Sequence, residues 1–116
     1  MKENVLKDKS FAFALRCIKC YQYLRVTKKE FVLSKQILRS GTSIGANIRE
    51  SEHSESKADF VHKLSVALKE ANETAYWLEL LHASDFLEPE QYDSIYADCI
   101  ELLKMLTSIV KTSKIN

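Results

Sequence analysis

Glycine and proline are nearly missing: the 116 residues contain two glycines and one proline. That is too little punctuation for an all-β fold, which needs a turn every few residues. Long apolar runs are absent too. None approaches the ~18 residues that a membrane-spanning helix requires. The opening MKENVLKDKS has no apolar stretch followed by small residues, so no secretory signal is expected. Cysteine is scarce and odd in number, with three residues. Without an export signal this points to reduced thiols and a cytoplasmic protein. What remains is 46% hydrophobic and 28% charged, the balance of one globular domain spanning residues 1–116.

The net charge of +1 conceals an uneven distribution. Residues 1–50 hold 11 Lys and Arg against 4 Asp and Glu, whereas residues 51–116 hold 6 against 12. A basic half followed by an acidic half suits attraction within or between subunits, or a basic face for an anionic partner.

Apolar residues recur with helical spacing in four segments, near 8–26, 31–54, 57–83 and 89–111. The inward lines read Phe11, Leu15, Ile18 and Tyr21 in the first, and Leu33, Ile37, Ile44 and Ile48 in the second. Val61, Leu64, Leu68, Ala71, Ala75 and Leu78 line the third. The fourth opens on Pro89, tolerated in a first helical turn. Its apolar face runs from Tyr92 through Ile95, Cys99, Leu102 and Leu106 to Val110. The links are short, which favours antiparallel neighbours and predicts an all-α, up-down-up-down four-helix bundle.

Both glycines, Gly41 and Gly45, fall inside the second helical segment, in RSGTSIGANIRE. Each costs a helix interior about 1 kcal/mol relative to alanine. Close approach of a neighbouring helix offsets that cost, because a missing Cβ lets two backbones come together. A turn splitting the segment is the alternative. A phosphate cradle is excluded, since no strand precedes the glycines and no GK[ST] follows.

Several motifs resemble chemistry without its context. Cys17 and Cys20 have C-x-x-C spacing, but they sit mid-helix and only Cys99 remains as a further thiol ligand. Packing explains them more simply, because Phe13, Cys17, Cys20 and Leu24 form a second apolar stripe on the first helix. Glu50-x-x-His53 and Glu79-x-x-His82 match half of a di-iron bundle site each. Both lie at the C-terminal ends of consecutive antiparallel helices, on the order of 30 Å apart. Ser40, Ser43 and Ser51 have no histidine placed beside them by spacing. No catalytic residue, metal ligand, cofactor or small-molecule substrate is expected.

Two surfaces are left over. The stripe of Phe13, Cys17, Cys20 and Leu24 lies opposite the assumed core side, and Tyr76 and Trp77 edge the third helix. Extra apolar surface on a small domain marks a partner interface. Lys35, Arg39 and Arg49 line the outer side of the second helix, Arg16 and Lys19 share an edge of the first, and Arg25, Lys28 and Lys29 sit at the connection between them. A solvated face is the simpler reading of such charges, and RNA or DNA binding is the functional one.

FVLSKQILRSGTSIGANIRE, followed by FVHKLSVALKEANETAYWLELL, resembles the bacterial four-helix-bundle family of S23 ribosomal proteins. These are also called 23S rRNA intervening-sequence proteins, because some are encoded in insertions within that rRNA gene. The resemblance runs from about Ser10 to Leu106. It implies a left-turning antiparallel bundle assembled as a homo-oligomeric ring, a pentamer. The family is distantly similar to the accessory protein of diversity-generating retroelements, a ring that binds nucleic acid and a reverse transcriptase. The expected role is a non-catalytic assembly protein that binds RNA, DNA or a nucleic-acid enzyme. The alternative is a protein-binding scaffold with no nucleic-acid contact.

Overall fold

The computed structural model describes the backbone of residues 2–115 and the side chains of residues 5–114. Four helices follow one another: α1 (Lys2–Val26), α2 (Leu33–Ser51), α3 (Lys57–Ala83) and α4 (Pro89–Ile115). Each packs on the next and α1 meets α4 more lightly, which gives a four-helix bundle of 46 × 20 × 20 Å. α1 starts earlier and α4 ends later than periodicity suggested, while α2 is shorter at both ends.

Local hydrogen bonds explain the limits of α2 and α3. The Glu30 carboxylate accepts the N–H groups of Val32, Leu33 and Ser34 at 3.3, 3.0 and 2.7 Å, so residues 31 and 32 stay outside α2. Its own N–H reaches back to the Leu24 carbonyl at 2.9 Å, made possible by Lys29 in the left-handed region (φ 56°). At the start of α3, Ser56 Oγ accepts the Asp59 N–H at 3.0 Å. α3 ends with Asp85 left-handed (φ 66°), the Phe86 N–H on the Leu81 carbonyl and the Asp85 N–H on that of His82. That pairing satisfies two of the orphan carbonyls at the helix end.

The main correction concerns which side of α1 faces inward. Phe11 and Leu15, expected in the core, are 56% and 48% exposed. Phe13, Cys17 and Leu24, expected on an outer patch, are buried in the core with Leu6. Leu6, Ser10, Phe13, Cys17, Cys20 and Leu24 form one unbroken seam of alternating three- and four-residue steps. The seam also fits its neighbour. Ser10 and Cys17 are small enough to lie against Gly45 and Gly41 of α2, where a phenylalanine and a leucine would keep the helices apart.

α2 runs unbroken through both glycines. Ser40 and Thr74 join α2 to α3 in the core. The Thr74 hydroxyl donates to Ser40 Oγ at 2.8 Å, and Ser40 donates onward to the Gln36 carbonyl. Ala67, Ala71 and Ala75 keep the buried side of α3 slim, and leucines and isoleucines from the other helices fill the remaining space.

Candidate interaction site

Turning α1 over moves the exposed apolar surface to a different face. Phe11 and Leu15 stand on the outside of α1, next to a groove of about 580 Å³ between α1 and α2. Phe11, Ala14, Thr42, Gly45 and Ala46 line it, with Lys7, Arg49 and Glu50 at its rim. The small side chains of Ala14, Gly45 and Ala46 leave the space that forms this groove. Of the proposed stripe, only Cys20 reaches a surface, half-buried in a second groove between α1 and α4 with Tyr23, Leu87 and Ile95.

On α3, Tyr76 is 54% exposed. Trp77 is half-buried, and its indole N–H donates to Glu73 at 2.9 Å. The two rings lie 5.3 Å apart at a tilt of 58°. An edge arrangement of this kind is favourable between aromatics and holds the Tyr76 ring outward.

The basic stripe does not survive intact. Arg39 is spent on α3: it pairs with Glu70 at 3.3 Å and with Glu73, and its Nε donates to Gln36. Arg16 pairs with Asp98 of α4 at 2.7 Å and donates to the carbonyl and hydroxyl of Ser94. The acidic second half of the chain thus neutralises part of the basic first half within one protomer. Lys19, Lys35 and Arg49 are exposed and form no ion pair among the described residues. Lys35 and Arg49 stand about 21 Å apart along α2, at 1.5 Å per residue.

The basic group expected at the α1–α2 connection gains aromatic neighbours in the fold. Arg25 lies over two aromatic rings, its guanidinium carbon 5.4 Å from the centroid of Tyr21 and 5.3 Å from that of Phe31. The i to i+4 spacing of Tyr21 and Arg25 was legible in YQYLRV. The approach of Phe31 was not, because it depends on the turn at Lys29.

Reactive groups are quiet. All three cysteines are free thiols. Burial, then the neighbouring Cys20 and Cys99, raises Cys17 far above the ordinary thiol range. Burial pushes Cys20 up to about 11, against the pull of Arg16. Cys99 rises to about 12 through burial and then the Glu79 charge. Protonated thiols are poor nucleophiles and poor ligands. Ser40, Thr42, Ser43 and Ser51 donate to carbonyls of their own helix. His82 stacks on Tyr92 at 4.3 Å, and Glu79 accepts the Tyr96 hydroxyl at 2.9 Å. Burial first, then that carboxylate, lifts Tyr96 to about 12. Among the described residues no group of three His, Cys, Asp or Glu is placed to hold a metal ion. No helix among them is long and apolar enough to cross a membrane.

The family model of the 23S rRNA-intervening sequence protein matches residues 2–108. The chain belongs to this family. A crystal structure from the S23 ribosomal protein family of Bacteroides thetaiotaomicron, described as a protein of unknown function, is 60% identical in sequence. It superposes with a TM-score of 0.94, covering 96% of this chain and 99% of that one. No curated protein matches.

Proposed function

We propose that this member of the 23S rRNA-intervening sequence family is a non-catalytic, cytoplasmic protein that assembles with copies of itself and binds nucleic acid through its basic residues. The exposed apolar side of α1, Phe11 and Leu15 beside the α1–α2 groove, carries the assembly reading. Adjacent exposed apolar side chains beside a groove suit a partner interface. The resemblance to ring-forming bundles supports a closed ring, with five copies as the expected number. A ring needs two different patches that meet. The α1–α2 groove supplies one, and the outer side of α3 around Tyr76 and Trp77 supplies the other. This replaces Phe13, Cys17 and Leu24, which the core already uses.

Nucleic acid would meet Lys19, Lys35 and Arg49, repeated around the ring. Weak phosphate contacts held in one assembly reinforce one another through effective concentration. Light scattering at micromolar concentration tests the assembly: the wild type should be oligomeric, and Phe11→Asp should be a folded monomer. A monomeric wild type would overturn it. Binding of RNA or DNA in low salt, falling steeply as salt is added, tests the second half. The double variant Lys35→Gln, Arg49→Gln should bind more weakly with a flatter salt dependence.

The scaffold reading, with no nucleic-acid contact, is favoured by one observation. Arg39 and Arg16 are held in ion pairs to α3 and α4 and are therefore partly unavailable to phosphates. A protein that assembles but binds no oligonucleotide at low salt would be that scaffold.

A further inference from the structure

The α1–α2 connection combines three features that a solvated loop does not need. Its cations have no partners: Arg25, Lys28, Lys29 and Lys35 form no ion pair among the described residues. The one carboxylate among them, Glu30, is consumed by three backbone N–H groups at the start of α2 and offers little to a lysine. Beside these charges Phe31 is 48% exposed, and the Arg25 guanidinium lies over its ring and that of Tyr21. The left-handed turn at Lys29 that closes α1 also brings Phe31 over Arg25 (φ 56°).

We infer that this tip is a binding site for single-stranded nucleic acid, in which an unpaired base stacks on the Phe31–Arg25 platform while the lysines meet the adjoining phosphates. The chemistry favours a polymer that offers both a flat π-face and negative charge. Aromatic rings and guanidinium planes accept stacked bases with little regard to sequence, and a basic surround tracks the backbone. A duplex hides its base faces and would use only the charges. An anionic membrane is a poorer fit, because burying Phe31 in lipid would also strip water from the guanidinium lying on its face. The inference rests on the nucleic-acid reading above and extends it from Lys35, at the start of the α2 stripe, to Arg25, Lys28, Lys29 and Phe31 at the connection.

Fluorescence anisotropy with a labelled single-stranded RNA and a blunt duplex of equal length separates the possibilities. Phe31→Leu keeps the apolar bulk but removes the π-face, and Arg25→Lys keeps the charge but removes the plane. Each should weaken single-strand binding about five- to tenfold, leave duplex binding unchanged and leave the salt slope unchanged. Lys28→Gln with Lys29→Gln should flatten the slope for both ligands. Circular dichroism of each variant checks that the bundle is intact. If the wild type binds single strands and both platform variants bind equally well, the site is overturned while the wider nucleic-acid reading stands. If the wild type binds neither RNA form in low salt, both fall together. Binding to phosphatidylserine vesicles without binding to either oligonucleotide would also overturn it, in favour of a membrane surface.

Discussion

Gly41 of α2 faces Cys17 of α1 so closely that a β-carbon on Gly41 would come within 2.9 Å of the Cys17 Cβ. Real Cβ atoms do not approach that closely, and Cys17 cannot yield without moving its own backbone. Gly45, one turn on, is less confined, with Ser10 Oγ 3.3 Å from the corresponding position.

The two glycines should therefore respond differently to alanine. Gly41→Ala should lose about 1–3 kcal/mol, the cost of overpacking, despite the ~1 kcal/mol gain in helix propensity. Gly45→Ala should change stability by less than about 1 kcal/mol, since no atom comes within 3.0 Å of the added β-carbon. Urea denaturation of the two variants measures the contrast, and equal losses would contradict the packing account.

The orientation of α1 makes a second pair of variants diagnostic. Phe13→Ala empties a fully buried position and should cost about 3–5 kcal/mol. Phe11→Ala, more than half exposed, should cost under about 1 kcal/mol in the protomer. Thermal melts at concentrations low enough to dissociate any oligomer read this without interference from assembly.

Alkaline pH should unfold the protein through its thiols. The folded state raises the pKa of Cys17, Cys20 and Cys99, the last two to about 11 and 12. Above about pH 9 the unfolded chain loses those protons first, so the folded state binds more protons and stability falls as pH rises. Each thiol contributes up to about 1.4 kcal/mol per pH unit until its folded pKa is passed. Stability measured between pH 8 and 11 should fall more gently in Cys99→Ala. An unchanged slope would remove Cys99 from this account.

Ser34 offers a stabilising change. Its hydroxyl is buried and has no hydrogen-bond partner among the described residues. Replacing it with alanine removes an unsatisfied polar group and improves helix propensity, so Ser34→Ala should be neutral or gain up to about 1 kcal/mol. A loss of more than that in urea denaturation would mean the hydroxyl has a partner in solution.

Periodicity, the scarcity of turn residues and the short links were sufficient to read four antiparallel helices from the residues alone. Patterns of that kind are local, because each apolar residue reports the face of its own helix. The unbroken course of α2 through Gly41 and Gly45 was legible for the same reason. α1 was not, because it has apolar residues on two opposite sides and its own periodicity cannot rank them. The choice depends on shape at the α2 contact, where Ser10 and Cys17 fit against glycine and Phe11 and Leu15 do not. The availability of the cations was equally hidden. Arg39 and Arg16 look like Lys35 and Lys19 on a helical wheel, and only the position of Glu70, Glu73 and Asp98 on neighbouring helices separates paired charge from free. The sequence by itself determined the helices and their order, since those follow from neighbours in the chain. Tertiary structure alone decided which apolar face, and which positive charges, are left for a partner, because those depend on atoms many residues away.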